Sequence, residues 1–158
     1  MSKMILNKQK ITMLESFILN TDEKITASQI AKKHNLNQKS VYLFMEELEK
    51  EGILTSEMQG KNKLYHLNKS NGELVKQFLC SVEHLRTIYF YQKNPSTKLI
   101  IQKILPHITG MAAIFGSYAK NTQKETSDLD IFIAGNYDEK EIASISCTFG
   151  VDINIKPQ

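Results

Sequence analysis

Apolar residues recur at helical spacing in three successive stretches of the first half of the chain. The first covers residues 7–19, and the second begins at Thr26, which with Gln29 has the pattern of a helix capping box. The third covers residues 38–51; Asn37 can cap its start, and Gly52 suits a left-handed helix end. The apolar positions that predict these helices are Ile11, Leu14, Phe17, Ile18, Ile25, Ile30, Ala31, Val41, Phe44, Met45 and Leu48.

A β-hairpin is predicted after the third helix. Apolar residues that alternate with polar ones, Ile53 and then Leu64 and Leu67, flank a turn at Gly60-Lys61-Asn62. Three helices followed by a hairpin is the element order of a winged helix-turn-helix. Residues 8–69 resemble that family in this pattern. The resemblance implies that the helix at 38–51 is a recognition helix and that the hairpin is the wing.

Charge supports a nucleic-acid partner for the first half of the chain. Residues 1–70 hold 11 lysines and 8 acidic residues, whereas residues 71–158 hold 9 basic and 9 acidic residues, so the whole excess of +3 lies in the first half. The winged-helix resemblance implies contacts to double-stranded DNA from Gln38, Lys39 and Tyr42 on the recognition helix and from Lys61 and Lys63 at the hairpin tip. Four glutamates crowd the far end of the same helix, so a protein-protein role stays open: Glu46, Glu47, Glu49 and Glu51.

A single long apolar stripe follows the hairpin and predicts a linker helix over residues 71–95. Such a helix can pack on one domain or on both, and a stripe of this length can also pair with its copy in a homodimer. Asn94-Pro95 breaks the helix, and a short helix is predicted from Ser96 to Pro106.

Three apolar segments in the second half predict strands of a small mixed sheet. Residues 111–115 carry no charge and are expected to form a buried strand that ends at Gly116. Residues 128–133 predict a second strand and residues 151–155 a third, with a crossover helix between them. The predicted fold class is therefore α+β: a winged helix at 1–70, a linker helix at 71–95, and a small mixed α/β sheet with flanking helices at 96–158.

Composition excludes several classes of protein. The 158 residues allow one ordinary domain or two small ones, and 41% apolar and 23% charged residues are typical of a globular chain. No apolar run reaches the length of about 18 residues that a membrane span needs, and the first residues lack the apolar core of a secretory signal. Cys80 and Cys147 are expected to be reduced and buried, which favours a cytoplasmic protein without a membrane partner.

Candidate chemistry lies between the first two predicted strands of the second half. The Gly116-Ser117 turn leads into a helix start, where unpaired N–H groups can receive an anion. Asp128 and Asp130 are two apart on a strand and therefore share one face, about 7 Å apart. Neighbouring carboxylates repel each other unless a cation lies between them, and Mg²⁺ is usually held by one or two carboxylates plus substrate phosphates. The pattern predicts a site for a nucleoside triphosphate.

These residues carry a specific resemblance. Gly116-Ser117, ten further residues and then Asp128-x-Asp130 resemble the signature of the nucleotidyltransferase superfamily related to DNA polymerase β, and in particular its minimal members, over residues 96–158. The resemblance implies that Asp128 and Asp130 bind two Mg²⁺ ions and that Gly116 and Ser117 hold the β- and γ-phosphates. Lys120 and Ser127 also fit the pattern and are expected to contact the nucleotide.

The family has a third carboxylate on a later strand, which helps to bind metal and to deprotonate the acceptor. Asp152 is the candidate, although a shift of two residues would put Asn154 in its place. The family commonly continues into another helix, so two alternatives stay open: a domain truncated at its C-terminal side, or one that is naturally short.

The resemblance implies an Mg²⁺-dependent transfer of a nucleoside monophosphate, with ATP as the expected donor, to a hydroxyl of a protein or other acceptor. Some small family members modify a tyrosine of a partner toxin with AMP and so act as antitoxins. A small helical toxin is therefore one expected partner. The alternatives are a winged-helix transcriptional regulator and an antitoxin-like interaction protein, each with a catalytically inactive nucleotidyltransferase fold.

Overall fold

The computed structural model describes residues 6–120, 122–124 and 126–158, and it divides the chain into two compact units, Met1–Phe90 and Tyr91–Gln158. Both units contain helices and a small sheet, which confirms the predicted α+β class. The finer division at residues 70 and 95 stays a prediction. Within the described residues, no helix combines the length and the apolar character that crossing a bilayer requires.

The first unit has the element order of a winged helix. Three helices, α1 (Lys8–Leu19), α2 (Ala27–His34) and α3 (Gln38–Lys50), precede an antiparallel hairpin of β1 (Leu54–Gln59) and β2 (Asn62–Leu67). Polar side chains satisfy the free N–H groups at the helix starts, as the capping patterns predict. The capping residues are Asn7, Thr26 in a full capping box with Gln29, and Asn37.

One apolar core holds this unit together. The periodic side chains of α1, α2 and α3 lie in it, among them Phe17, Ile30 and Leu48, which are fully buried. A short 3₁₀ turn, Lys69–Asn71, leads into the long helix α4 (Gly72–Lys93), whose Val75 and Val82 join the same core. Most of the stability of these helices comes from this shared burial, since isolated helices of their length are marginal in water.

The second unit is a three-stranded sheet with helices on one face. In chain order it contains α5 (Pro95–Ile104), a 3₁₀ turn (Leu105–His107), β3 (Ile108–Ile114), α6 (Gly116–Ala119), β4 (Leu129–Tyr137), α7 (Glu139–Phe149) and β5 (Ile153–Pro157). The central strand β4 pairs antiparallel with β3 and parallel with β5, and α7 provides the crossover that a parallel pair needs. Leu129, Ile131 and Ile133 of β4 pack on α5 and α7 through Ile100, Ile101, Ile104 and Ile142.

Two burial predictions are wrong. The strand expected to be buried at 111–115 is β3, and most of it is exposed, with Met111 at 71%. It is an edge strand, and the pairing of Met111 with Ala134 puts Met111 on the face of the sheet opposite the helices. Cys80 and Cys147 are free as expected, but they are exposed because they lie on the outer sides of α4 and α7.

Candidate functional site

The Gly116 turn lies directly against the carboxylate of Asp130. Gly116 has a φ of +68°, a left-handed conformation, and a Cβ built on it would lie 2.1 Å from Oδ2 of Asp130. The turn is fixed by the strands, since the N–H of Phe115 donates to the carbonyl of Asp130 at 3.1 Å. The left-handed backbone favours glycine here, and a larger residue would also require the Asp130 carboxylate to move from its position.

Asp130 lies on β4 and Asp128 directly precedes this strand, and both project to the same side. The alternate residues Leu129 and Ile131 are buried in the core of the second unit, so Asp128 and Asp130 point to the opposite, accessible side. Across the parallel pair, Asp130 is level with Asn154. The side-chain amide of Asn154 donates to Oδ2 of Asp128 at 3.1 Å. The two carboxylates and this amide thus form one polar cluster beside the Gly116 turn.

Asp152 and Asn154, the two alternatives for the third family position, share this face. Asp152 directly precedes β5, is exposed, and is level with Asp128 when the pairing of β4 with β5 is extended by one residue. Its carbonyl accepts the N–H of Leu129 at 2.7 Å, whereas Asn154 contacts Asp128 with its side chain. Within the described ranges, no three acidic, histidine or cysteine side chains are grouped closely enough to hold a metal ion. The role of Asp152 stays a prediction.

The donor set of this face nevertheless suits a hard divalent cation. Asp130 on β4 and Asp128 directly before it offer carboxylate oxygens as ligands, and the Oδ2 of Asp130 lies against the Gly116 turn. Mg²⁺ characteristically takes one or two carboxylates and completes its shell with water and phosphate oxygens. Asp128 and Asp130 therefore fit one such ion. Among the described residues, no third carboxylate is grouped with these two to help hold the second ion that the family resemblance implies.

The remaining residues expected to contact the nucleotide lie in α6, at its end and in the loop before Asp128. Ser117 lies in the single-turn helix α6, and its carbonyl accepts the N–H of Thr122 at 3.0 Å. Lys120 is the exposed C-terminal cap of this helix. The hydroxyl of Ser127 accepts the N–H of Lys124 at 2.8 Å, so it orders the loop before Asp128.

One charged residue of this face is absent from the sequence-derived set. Lys156 lies on β5, level with Phe132 of β4. Its ammonium lies over the ring of Phe115, 5.1 Å from the centroid. The available signal is the alternation Asp152, Asn154, Lys156, which places three polar side chains on one face of a strand.

The predicted DNA-contacting residues occupy two different environments in the first unit. Gln38, Lys39 and Tyr42 are exposed at the start of α3, and Lys61 is exposed at the hairpin turn. Lys63 instead pairs with two glutamates of α3, Glu46 at 2.5 Å and Glu49 at 2.7 Å. These bonds occupy the ammonium of Lys63 that the winged-helix resemblance assigns to a phosphate.

A compact polar network forms around this lysine. The hydroxyl of Tyr65 also donates to Glu46, and the hydroxyl of Ser56 donates to Glu49, each at 2.5 Å. Hydrogen bonds from Lys63 and Tyr65 lower the pKa of Glu46, and hydrogen bonds to Glu46 and Glu49 raise the pKa of Lys63. The pKa of Tyr65 is raised, mainly because its hydroxyl is buried and also because it donates a hydrogen bond to Glu46. The network links the wing to the recognition helix, and sequence spacing gave no signal for it.

Comparisons with known proteins bear mainly on the second unit. A sequence model of the family described as "Nucleotidyltransferase domain" matches residues 96–154. A Methanocaldococcus jannaschii protein that bears the provisional name protein adenylyltransferase is 52% identical over 40 residues. That match covers 25% of this chain and 43% of the relative, so less than half of the relative's length is represented.

Solved structures with some likeness to the chain include three proteins. AF1382 of Archaeoglobus fulgidus is 19% identical with a TM-score of 0.40, covering 51% of this chain and 91% of its own. The homodimeric winged helix-turn-helix DNA-binding domain Mb0332 of Mycobacterium bovis is 17% identical with a TM-score of 0.40. This match covers 51% of this chain and 69% of the Mb0332 domain. The Staphylococcus aureus transcription regulator MepR is 18% identical with a TM-score of 0.42, covering 64% and 78%. These likenesses are too distant to support an argument about function.

A double-mutant cycle tests the contact between Gly116 and Asp130. Gly116→Ala should lower the free energy of unfolding by more than the roughly 1–2 kcal/mol that a left-handed alanine costs, because the methyl group meets the carboxylate. In an Asp130→Ala background the same substitution should lower the free energy of unfolding only by the cost of placing alanine in the left-handed conformation. Urea unfolding of the four proteins gives the coupling energy. Equal costs in both backgrounds would contradict the contact.

The network around Lys63 predicts a pH dependence for the hairpin. Because the folded pKa of Glu46 is lowered, its contribution to stability is complete above about pH 4.5, the ordinary value, and is lost as the pH falls through the folded pKa. In the unmodified chain, the amides of β2 should lose protection against hydrogen exchange as the pH falls from neutral to acidic. In Glu46→Gln this loss should be smaller, because the side chain has no charge to lose. Glu51→Gln, at the exposed end of α3, is the matched control and should behave like the unmodified chain. An unchanged pH profile in Glu46→Gln would rule out this role.

Proposed function

We propose, from the premise that residues 96–154 are a nucleotidyltransferase domain, that this chain transfers a nucleoside monophosphate to a hydroxyl group of an acceptor. AMP from ATP is the expected group, and a protein is the expected acceptor. The provisional name of the M. jannaschii relative supports this choice of reaction.

The observation that carries the proposal is the apposition of the Gly116 turn and Asp130. Because Gly116 has no side chain, its backbone lies directly beside the Asp130 carboxylate, so a triphosphate at the turn and a cation on the carboxylate can be neighbours. Asp128 faces the same side of β4 and adds the second carboxylate. A structural turn needs a left-handed glycine, but it does not need two accessible acids on the same face.

The proposed reaction is an in-line displacement at the α-phosphorus of the nucleotide. The oxygen of the acceptor hydroxyl forms a new bond to that phosphorus, and the bond to the bridging oxygen of the β-phosphate breaks. Pyrophosphate leaves with that electron pair, and the hydroxyl proton passes to a carboxylate, for which Asp152 is the candidate. Gly116 and Ser117, at the turn, are proposed to hold the β- and γ-phosphates, and Lys120 and Ser127 to contact the nucleotide.

Nucleotidyltransferase domains use divalent metal ions, and Mg²⁺ is the ion proposed here. Asp128 and Asp130 would hold it, and Asp152 would join them if a second ion binds. When bound, the ion neutralises charge that develops on the phosphate oxygens. The protein residues supply the rest: they orient the triphosphate and place the acceptor opposite the leaving group.

Incubation of the chain with Mg²⁺ and each labelled nucleoside triphosphate tests the proposal. We expect label transfer and pyrophosphate release from the unmodified chain. An Asp128→Asn, Asp130→Asn variant should lose at least about 100-fold in rate, because charge stabilisation at the reacting phosphate is lost. Asp138→Asn, whose side chain only caps α7, is the matched control. Nucleotide binding without turnover would favour the alternative of an inactive fold in a regulator.

For the first unit we propose binding of double-stranded DNA by the start of α3. Gln38, Lys39 and Tyr42 are exposed there, and Tyr42 has 44% of its surface accessible. The acidic end of α3 is partly neutralised, since Lys63 pairs with Glu46 and Glu49 and Lys10 pairs with Glu47 at 2.9 Å. A base-reading role for the N-terminal end of the helix is therefore compatible with the glutamates further along it.

A salt titration of binding to mixed-sequence duplex DNA checks this second proposal. Affinity should fall steeply as salt rises, and Lys39→Gln should reduce the slope of log affinity against log salt by about 1. Lys63→Gln should change that slope less, because its ammonium is already paired within the unit. Absence of binding at low salt would favour a protein-interaction role. Partners of that kind are a small helical toxin, or a second copy joined through α4, where Leu74 and Ile88 are exposed.

A further inference from the structure

We propose that Lys156 is a nucleotide-binding residue that contacts the triphosphate at the site formed by Gly116, Ser117 and Asp130. This inference rests on the proposed function, and it adds a residue that lies outside the Gly-Ser and Asp-x-Asp pattern. Its support is the position of the side chain, the contact that its ammonium makes and its lack of an acidic partner in the described part of the chain.

The register of β5 puts Lys156 on the face that carries the acids. Asp130 is level with Asn154, and Phe132 is level with Lys156, so all four side chains project from the same side of the sheet. The alternate residues of β5, Ile153 and Ile155, face the core. Lys156 is exposed, so its ammonium is accessible to a ligand that approaches this face.

The ammonium of Lys156 is directed towards the glycine turn. It lies over the ring of Phe115, 5.1 Å from the centroid, and Phe115 is the residue directly before Gly116. Because β4 separates β5 from β3, and neighbouring strands lie about 4.8 Å apart, the two side chains meet over the central strand near Asp130. The cation–π contact restrains a long side chain at the edge of the proposed triphosphate site.

Charge decides what this lysine can bind. Within residues 6–120, 122–124 and 126–158, no ion pair involves Lys156, although acids lie on the same face. A nucleoside triphosphate brings several negative charges to a site that already contains two carboxylates. A cation from the protein offsets part of that repulsion, and lysine is suited to phosphate as a compact point charge. A triphosphate therefore fits this position better than a neutral or cationic ligand.

Equilibrium binding of ATP and of AMP to the full chain, measured by calorimetry with Mg²⁺ and again with a chelator, tests the proposal. Lys156→Gln should weaken ATP binding about tenfold or more, the loss expected for a hydrogen bond to a charged group, and should weaken AMP binding much less. Lys156→Arg should retain most of the affinity, because it keeps both the charge and the contact with Phe115. Lys140→Gln on α7, which removes an exposed lysine from a different part of the same unit, is the matched control and should bind like the unmodified chain.

The outcomes separate this inference from the proposed function. If the unmodified chain binds ATP and Lys156→Gln binds it equally well, the role of Lys156 is wrong while the proposed function stands. Equal losses in Lys156→Gln and Lys140→Gln, or equal losses for ATP and AMP, would also overturn it. If the unmodified chain binds no ATP under any condition, the proposed function fails and the inference fails with it. Circular dichroism of each variant checks that the fold is retained.

Discussion

The contact between the Gly116 turn and the carboxylate of Asp130 is the constraint on which the functional face depends. Three conditions meet there: a left-handed backbone, a missing side chain and a carboxylate in the space that a side chain would take. The antiparallel pairing of β3 with β4 produces the contact, since the hydrogen bond from Phe115 to Asp130 fixes the turn at this point of the central strand. Any displacement of that pairing would separate the glycine from the acid.

Hydrophobic burial explains why the acids share one side. Leu129, Ile131 and Ile133 are each almost fully buried against α5 and α7, and burial of one such side chain is worth roughly 1.5–3 kcal/mol. A shift of β4 by one residue would expose all three and bury the carboxylates. The repulsion between Asp128 and Asp130 in solvent is weaker than this cost, so the core holds two like charges on one accessible face.

The first unit shows how tertiary contacts change the meaning of surface charge. In the sequence, the lysines of the wing suggest attraction of a phosphate backbone, whereas the glutamates of α3 suggest repulsion of it. In the fold, Lys63 and Lys10 pair with those glutamates. The hairpin is thereby tied to the helix, and of the three lysines predicted to contact DNA, Lys39 and Lys61 are exposed while Lys63 is paired.

Local sequence patterns were enough to predict the element order, the capping of α2 and α3 and the alternation that separates the faces of β4, because each depends on neighbours a few residues apart. The same patterns also indicated Gly116, Asp128 and Asp130, since their spacing along one strand and one turn is local. Four features became visible only in the folded chain: β3 is an exposed edge, Asn154 bonds Asp128, Lys156 reaches Phe115 and Lys63 is paired. These features join residues far apart in the chain, and strand order and register, which no local pattern encodes, bring them together.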